Sequence, residues 1–315
     1  MAGHESVPVT VDNYVRAETA RMFDGTIERA GGSNRFVHNR VPTPVDKQNV
    51  IRMNRDTLYS QGVFDISQGG TLTLPDPAGR YMTVMVINED HYINRVFSEA
   101  GSYDLTVDEF DTDYVAVFMR AFVDPNNPDD VAVVNALQDQ MGMTTAAGRP
   151  YTHPRYSEDD RVRIFTAAAQ LAPNDTRGMF GSREHVDPIR HLIGTTIGWG
   201  GLPESEAFYF GDTQPRPVGD YTLTFNDVPV DGFWSLTICN RDGFMEPNPF
   251  DSYSVNNVTA THSADGSVVV NLAAEPDSLE NHLYIMDGWN YILRLYRPRA
   301  SILNGEWVAP SPQPA

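Results

Sequence analysis

Gly62-Val63-Phe64-Asp65-Ile66, Thr71-Leu72-Thr73-Leu74 and Tyr81-Met82-Thr83-Val84-Met85-Val86-Ile87 decide the fold class. Each is a short run of β-branched, aromatic or alternating apolar residues, and Gly-Gly, Pro-Asp-Pro and Ala-Gly pieces separate them. They predict strands joined by tight turns, and Tyr114–Phe122 adds another. The texture returns in Tyr221–Phe225, Phe233–Cys239, Ser267–Leu272 and Tyr291–Tyr296, with turns at Asn226-Asp227, Asp231-Gly232, Asp265-Gly266 and Asp287-Gly288.

Helical patterns lie before and between these runs. Val11–Ala30 carries Tyr14, Ala17, Ala20, Phe23 and Ile27 at three- and four-residue steps, with Asp12 as the expected N-cap and Gly31-Gly32 as the stop. Asp129–Gln140 follows Asn127-Pro128. Ser157–Leu171 opens with Ser157 and Asp160 at capping-box spacing, and Asp187-Pro188 starts a fourth helix that ends at Gly198-Trp199-Gly200-Gly201. Strand-rich halves around a helical middle predict a mainly β (α+β) chain of antiparallel sandwiches or barrels. The expected segments are an N-terminal helix over 1–35, a first β domain over 36–125, a helical segment over 126–205 and a second β domain over 206–315.

The chain has 315 residues and a net charge of −19, and Lys47 is the only lysine among 23 basic residues. Such a surface repels a phosphate backbone, so neither nucleic acid nor an anionic membrane surface is an expected partner. An arginine-rich basic set in an acidic chain points to specific ion pairs and bidentate contacts. No run of 18 apolar residues predicts a membrane span. Met1–Asp12 has no basic segment followed by an apolar run, so the default compartment is the cytoplasm unless an export signal has been trimmed. Cys239, alone within an apolar strand, is expected to be a buried structural thiol.

Nucleotide loops, dinucleotide fingerprints, a serine-nucleophile elbow and a His-Glu-x-x-His motif are all missing from the sequence. No cofactor is therefore expected. What remains are polar clusters. In Arg52-Met53-Asn54-Arg55-Asp56-Thr57-Leu58-Tyr59-Ser60 an extended backbone would set Arg52, Asn54 and Asp56 on one face and Arg55 and Tyr59 on the other. The same residues would equally make a structural network pinning a turn. Asn88-Glu89-Asp90-His91-Tyr92 follows the apolar strand ending at Ile87, where His91 is a candidate general base oriented by Asp90 or Glu89, with Tyr92 as proton donor. The bland alternative is a surface turn. His191 and Thr195 share a helix face, and the glycines around Trp199 suit close packing or a ligand. Arg294 alternates with Ile292 and Tyr296 on one strand face, with Trp234 expected beside it. His38, His91, His185 and His191 lack tight ligand spacing, so no metal is assigned and a metal-dependent enzyme is the third reading.

Asn13–Thr19, Arg52–Ser60, Asp90-His91-Tyr92, His191-Leu192-Ile193-Gly194 and Gly198–Gly201 together carry a resemblance. Pro229–Ser235, Ser254-Val255-Asn256-Asn257 and Arg294–Pro298 extend it. The chain resembles a bacterial family that joins domain of unknown function 1254 in the N-terminal half to domain of unknown function 1214 in the C-terminal half. The resemblance implies two jelly-roll-like β domains, helices between and around them, and a homo-oligomer; it implies no reaction. Asn281-His282-Leu283-Tyr284 departs from the Asn-Trp-Leu-Pro-like segment common in that family.

The expected function is a small-molecule enzyme using metal-independent acid–base chemistry, hydrolytic or eliminative, on a small polar or anionic ligand. His91, Asp90, Tyr59 and Tyr92 are its expected catalytic groups. Arg52, Asn54, Arg55, Asp56, His191, Trp199, Trp234, Asn256, Arg294 and Tyr296 are the expected substrate contacts. The alternative is a non-catalytic small-molecule or carbohydrate-binding protein, supported by the aromatic and amide groups near Trp199, Trp234, Asn256 and Asn257.

Overall fold

The computed structural model describes residues 6–48, 51–173 and 175–315. The start of the expected N-terminal segment, residues 1–5, therefore lies outside the described residues, as do residues 49–50. The protein is mostly β, with several antiparallel sheets and an N-terminal helix. Strand alternation and turn residues thus locate the fold class correctly.

The chain falls into two compact units that interleave in sequence. One comprises Met1–Arg40, Leu58–Phe122 and Pro128–Pro203; the other comprises Val41–Thr57, Val123–Asn127 and Glu204–Ala315. The expected division at 125 and 205 misses this interleaving. The helical segment is part of the first unit, and residues 41–57 belong with the C-terminal strands. Composition cannot reveal such a crossing, because the crossing segment looks like any polar loop.

The first unit is built on a five-stranded antiparallel sheet. Its strands are β1 (Phe36–His38), β2 (Thr57–Asp65), β4 (Met82–Asn88), β5 (Ile93–Phe97) and β7 (Tyr114–Phe122), in the order β1-β2-β7-β4-β5. Every residue of β4 and β7 is buried, which explains their near-continuous apolar sequences. A smaller sheet, ordered β6-β3-β8, joins β3 (Gly70–Leu74), β6 (Gly101–Leu105) and β8 (Gly142–Thr145).

Helix α1 (Tyr14–Ala30) begins later than Asp12 suggests; Asn13 is the N-cap residue, without a side-chain cap bond. Its expected stop is present, with Gly31 left-handed at φ 71°. A single turn, α2 (Val107–Phe110), is capped by Thr106. Helices α3 (Pro128–Gln140), α4 (Glu158–Ala169) and α5 (Pro188–Gly198) follow, and the Ser157 and Asp187 side chains accept the first-turn amides of α4 and α5. Helices α1, α4 and α5 pack against one another. Among the described residues no helix is long and apolar enough to cross a membrane.

The second unit is a two-sheet sandwich. One sheet is ordered β14-β13-β10-β16, from β10 (Tyr221–Phe225), β13 (Val268–Ala273), β14 (His282–Tyr284) and β16 (Gln313–Pro314). Its β13–β14 pair is parallel. The other is ordered β12-β11-β15-β9, from β9 (Ala207–Arg216), β11 (Trp234–Cys239), β12 (Ser254–Asn256) and β15 (Trp289–Tyr296). Alternate residues of both sheets, among them Leu223, Phe225, Val270, Trp234, Leu236, Leu293 and Leu295, meet in one apolar core. The other face of the second sheet presents Ser235, Thr237, Asn256, Arg294 and Tyr296, all buried.

Glycines within and just after α5 serve packing. A methyl group on Gly201 would overlap the Phe180 ring, and one on Gly194 would lie 2.7 Å from Met179 Cβ. Gly25, inside α1, has open space where its Cβ would go. Gly201→Ala is expected to cost about 1–3 kcal/mol through overpacking. Gly25→Ala should instead stabilise by roughly 0.5–1 kcal/mol through helix propensity. Denaturant midpoints of the two variants check both signs.

Candidate functional site

The expected site residues divide between the units: Tyr59, Asp90, His91, Tyr92, His191 and Trp199 lie in the first, and Arg52, Asn54, Arg55, Asp56, Trp234, Asn256, Arg294 and Tyr296 in the second. Each unit joins several of its own into one network.

In the second unit, residues 52–56 lie against the polar face of the sheet. They are not extended throughout, since Arg52 takes φ 55° and the Asn54 carboxamide oxygen accepts the Asp56 amide at 2.8 Å. Arg52, Asn54 and Asp56 nevertheless reach the sheet together. Arg52 donates to Asn290 Oδ1 at 2.9 Å, and Asn54 Nδ2 to the Tyr296 hydroxyl at 2.7 Å. The fully buried Asp56 carboxylate accepts the hydroxyls of Ser235 and Ser254 and, at 2.9 Å, the Asn256 amide. Its three partners sit side by side because Ser235 pairs with Asn256 across β11 and β12, and Ser254 is two residues away on β12. Arg294, 3% exposed, donates to Thr237 Oγ1 at 2.7 Å and to the carbonyls of Arg52 and Met53 at 2.7 and 3.2 Å. Arg55 turns the other way, to the Thr43 carbonyl and over the Tyr253 ring.

Trp234 corrects the expectation of a stack on Arg294. Alternation places it on the inner face, where it stacks on Phe225 with ring centres 4.2 Å apart. The cluster is thus a latch of satisfied polar groups rather than an open fork for an anion.

In the first unit, Asn88–Tyr92 is the tight connection between β4 and β5. The Asn88 side chain accepts the amides of Asp90 and Tyr92 at 2.9 Å each, and His91 takes the left-handed region at φ 62°. His91 is fully buried. Its Nε2 accepts the Gly200 amide at 2.9 Å, which fixes the proton on Nδ1, and Nδ1 donates to Thr195 Oγ1 at 2.7 Å. Thr195 passes its own proton to the His191 carbonyl. Burial first, and the neighbouring His191 second, hold the His91 pKa well below the ordinary imidazole value.

With both nitrogens engaged, His91 has none to offer a substrate, and the role of general base does not suit it. Its ring belongs to a column: Trp199 stacks on it at 5.3 Å, His191 at 5.4 Å, Tyr92 lies on His191 at 4.7 Å, and Arg183 covers Tyr92 at 4.6 Å. His191 Nδ1 and Nε2 each meet a carbonyl at 3.0 Å, of Met179 and Asp90. Tyr59 lies on β2 with the Arg120 guanidinium 5.7 Å from its ring centre.

The outer residues of the same connection face a different environment. Arg16, on α1, grips Asp90 through Nε and Nη2 at 2.7 and 2.8 Å and stands 3.3 Å from the Glu89 carboxylate. Arg16 and Glu89 help line a polar cleft of about 410 Å³, with Asp111, Thr112, Asp113, Tyr114, Arg149 and Thr152. Arg149 is held by Asp65 and Asp113. Burial raises the Glu89 carboxyl pKa, with Arg16 opposing it and the Tyr114 amide donating to it. Asp90 touches this network through Arg16; none of the other expected catalytic residues lines the cleft.

Sequence reading passed over Arg149, Asp111 and Thr152, which sit in ordinary-looking loops with no motif to flag them. Arg16 lay within a family-marking run, and Glu89 appeared as an orienting group. Among the described residues no three His, Cys, Asp or Glu side chains are grouped to hold a metal ion.

Two family models match the chain. "Protein of unknown function (DUF1254)" covers residues 33–104, and "Protein of unknown function (DUF1214)" covers residues 212–300. The VPA0106 protein from Vibrio parahaemolyticus is similar in structure, with a TM-score of 0.76 and 20% identity over 96% of this chain and 97% of that one. An uncharacterised protein from Burkholderia cenocepacia gives a TM-score of 0.56 at 14% identity, over 96% and 86% of the two chains. At these identities the likeness concerns the fold alone. No curated protein matches.

The depressed His91 pKa sets an acid limb of stability. A histidine whose folded pKa is lowered contributes stability above the unfolded value of about 6.5, and loses it as pH falls through and below that value. His91→Gln is expected to be less stable at neutral pH and to lose less of what remains between about pH 7 and 5. Chemical denaturation across that range checks it; parallel pH profiles would contradict the assignment. Asp56→Ala strands two buried donors, Ser235 and Asn256, beside the half-buried Ser254, and should lower the stability of the second unit by about 3 kcal/mol or more.

Proposed function

From the premise that this chain belongs to the family joining DUF1254 to DUF1214, we propose that it is a small-molecule enzyme whose acid–base group is Glu89, working in the Arg16–Arg149 cleft on a small polar ligand. One observation carries this reading: a carboxyl with only 13% of its side chain exposed, raised in pKa by burial, stands on the wall of a polar cleft 3.3 Å from a guanidinium. A carboxyl whose pKa is raised by burial holds a proton more readily than an exposed one, which suits it to donate as well as accept.

The groups have separable roles. Glu89 moves a proton to or from the reacting atom. Arg16, clamped in place by Asp90, supplies fixed positive charge where negative charge develops. Thr152 and Asp111 offer a hydroxyl and a carboxylate to orient the ligand. The wall carries three carboxylates, of Glu89, Asp111 and Asp113, against two guanidiniums, and both guanidiniums already face carboxylates. A polar ligand therefore fits better than the anionic one also expected from sequence. Hydrolytic or eliminative chemistry needs no more than these groups.

The test is a screen of esters, lactones and glycosides on wild type beside Glu89→Gln. The variant should lose turnover by about 10²-fold or more, as for removal of a general acid or base. Its stability should behave in the opposite sense. A carboxyl whose folded pKa is raised contributes stability below its unfolded value of about 4.3 and loses it as pH rises through the folded value. Glu89→Gln should then be at least as stable as wild type at neutral pH. Equal turnover in the two proteins, or a variant that loses activity only because it unfolds, would sink the assignment.

A further inference from the structure

The second unit has a hollow of its own, far smaller than the cleft of the first. It lies at the end of the β10–β13 pair, where Tyr221 faces Leu272 and Thr222 faces Asn271 in register, and encloses about 190 Å³. That is below the ~300–1,000 Å³ typical of sites for drug-sized ligands, so its occupant is about the size of a single ring.

The lining has two characters. Half-buried Tyr221, which packs edge-on to Trp289 at 5.5 Å, supplies the aromatic surface, with half-buried Pro276 also on the wall; Leu272 backs the hollow from within the core. Asp220, Asp277, Asn271 and Ser278 supply the polar rim. Asp220 and Asp277 are exposed, and neither carboxylate has a hydrogen-bond or ion-pair partner among the described residues. The Asn271 amide nitrogen is committed to the Glu280 carbonyl at 3.0 Å, which leaves its carbonyl oxygen to accept. The rim is thus rich in acceptors. No arginine or lysine lines it, so it offers a carboxylate or phosphate no counter-charge.

A ligand that fits must be small, must present an apolar side to Tyr221 and Pro276, and must donate several hydrogen bonds to carboxylates and an amide oxygen. A pyranose ring does all three. Its axial C–H groups form an apolar face, and its hydroxyls are donors at spacings that carboxylates accept. We propose that this hollow is a carbohydrate-binding site for one sugar ring, separate from the acid–base cleft of the first unit.

The probes are the methyl glycosides of glucose, mannose and galactose, followed by saturation-transfer NMR on the full chain. Ring protons of at least one glycoside should receive magnetisation from wild type and equally from Glu89→Gln. Asp277→Asn combined with Asp220→Asn leaves the core untouched and should weaken binding roughly tenfold, the loss of about one good hydrogen bond. Tyr221→Ala should abolish the transfer to the C–H face. Because Tyr221 also packs on the core, its circular dichroism is recorded beside the double variant, which carries the test alone if Tyr221→Ala unfolds. No transfer to any of the three glycosides would overturn the proposal, as would transfer unchanged in the folded Asp220/Asp277 variant. Binding of a simple amine in their place would overturn it as well, since the hollow would then be recognising charge.

Discussion

The Asp56 carboxylate has no route to water, and among the described residues no guanidinium bonds to it. An ionised carboxylate so placed persists only if the protein supplies hydrogen bonds to replace hydration. Two hydroxyls and an amide from adjacent strands do so, and this requirement organises the second unit. It forces the outward-facing row of β11 and β12 to be Ser235, Ser254 and Asn256 rather than apolar residues. It fixes residues 52–56 across the sheet, and their carbonyls in turn satisfy the buried Arg294 guanidinium. The negative and the positive group are thus each solvated by neutral dipoles on one surface. Removing either leaves its partners unsatisfied in a low-dielectric setting, where such losses are largest.

The same constraint operates at His91, with a different outcome. An imidazole can be buried neutral if one nitrogen donates and the other accepts, and the Gly200 amide together with Thr195 meets both needs. That arrangement explains the glycines around Trp199. Gly200 takes φ +78°, a conformation most side chains avoid, and Gly201 lies against Phe180 with no room for a methyl group. The histidine, the threonine one turn along from His191 and the glycine-rich turn are therefore one packing solution.

This is where the sequence was legible and where it was not. Tyr114–Phe122, Tyr221–Phe225 and Pro188–Gly198 coincide with their expected spans, because burial pattern, turn chemistry and capping all act locally. Ile93–Phe97 escaped because Asn94-Arg95 interrupts its apolar residues, and His282–Tyr284 because three residues carry too little period to stand out. The interleaving of the units was invisible, because it depends on which distant sheet residues 41–57 meet. Polar clustering did identify places: Arg52–Asp56 and Asn88–Tyr92 are both sites of dense hydrogen bonding. It could not assign direction, and Trp234 shows the consequence, since one step of alternation separates a core tryptophan from the Ser235 that binds Asp56.

Direction also decides what chemistry the Asn88–Tyr92 connection can offer. In a five-residue turn closing two buried strands, some side chains must fold back over the sheet and others must leave it. Asn88 and His91 fold back, and the turn needs them there: Asn88 caps two of its amides and His91 ties it to Gly200. Groups so committed are poor proton carriers, because every change of charge would disturb the bonds that hold them. Glu89 and Asp90 leave the sheet and meet α1 through Arg16. Asp90 spends its carboxylate on a bidentate clamp, which immobilises the guanidinium. Glu89 is left half desolvated beside a fixed positive charge, with its proton affinity raised and a cleft in front of it. The rigid part of the turn thus holds the cleft-facing part in place, and a polar loop at the end of a buried strand serves both ends through different residues.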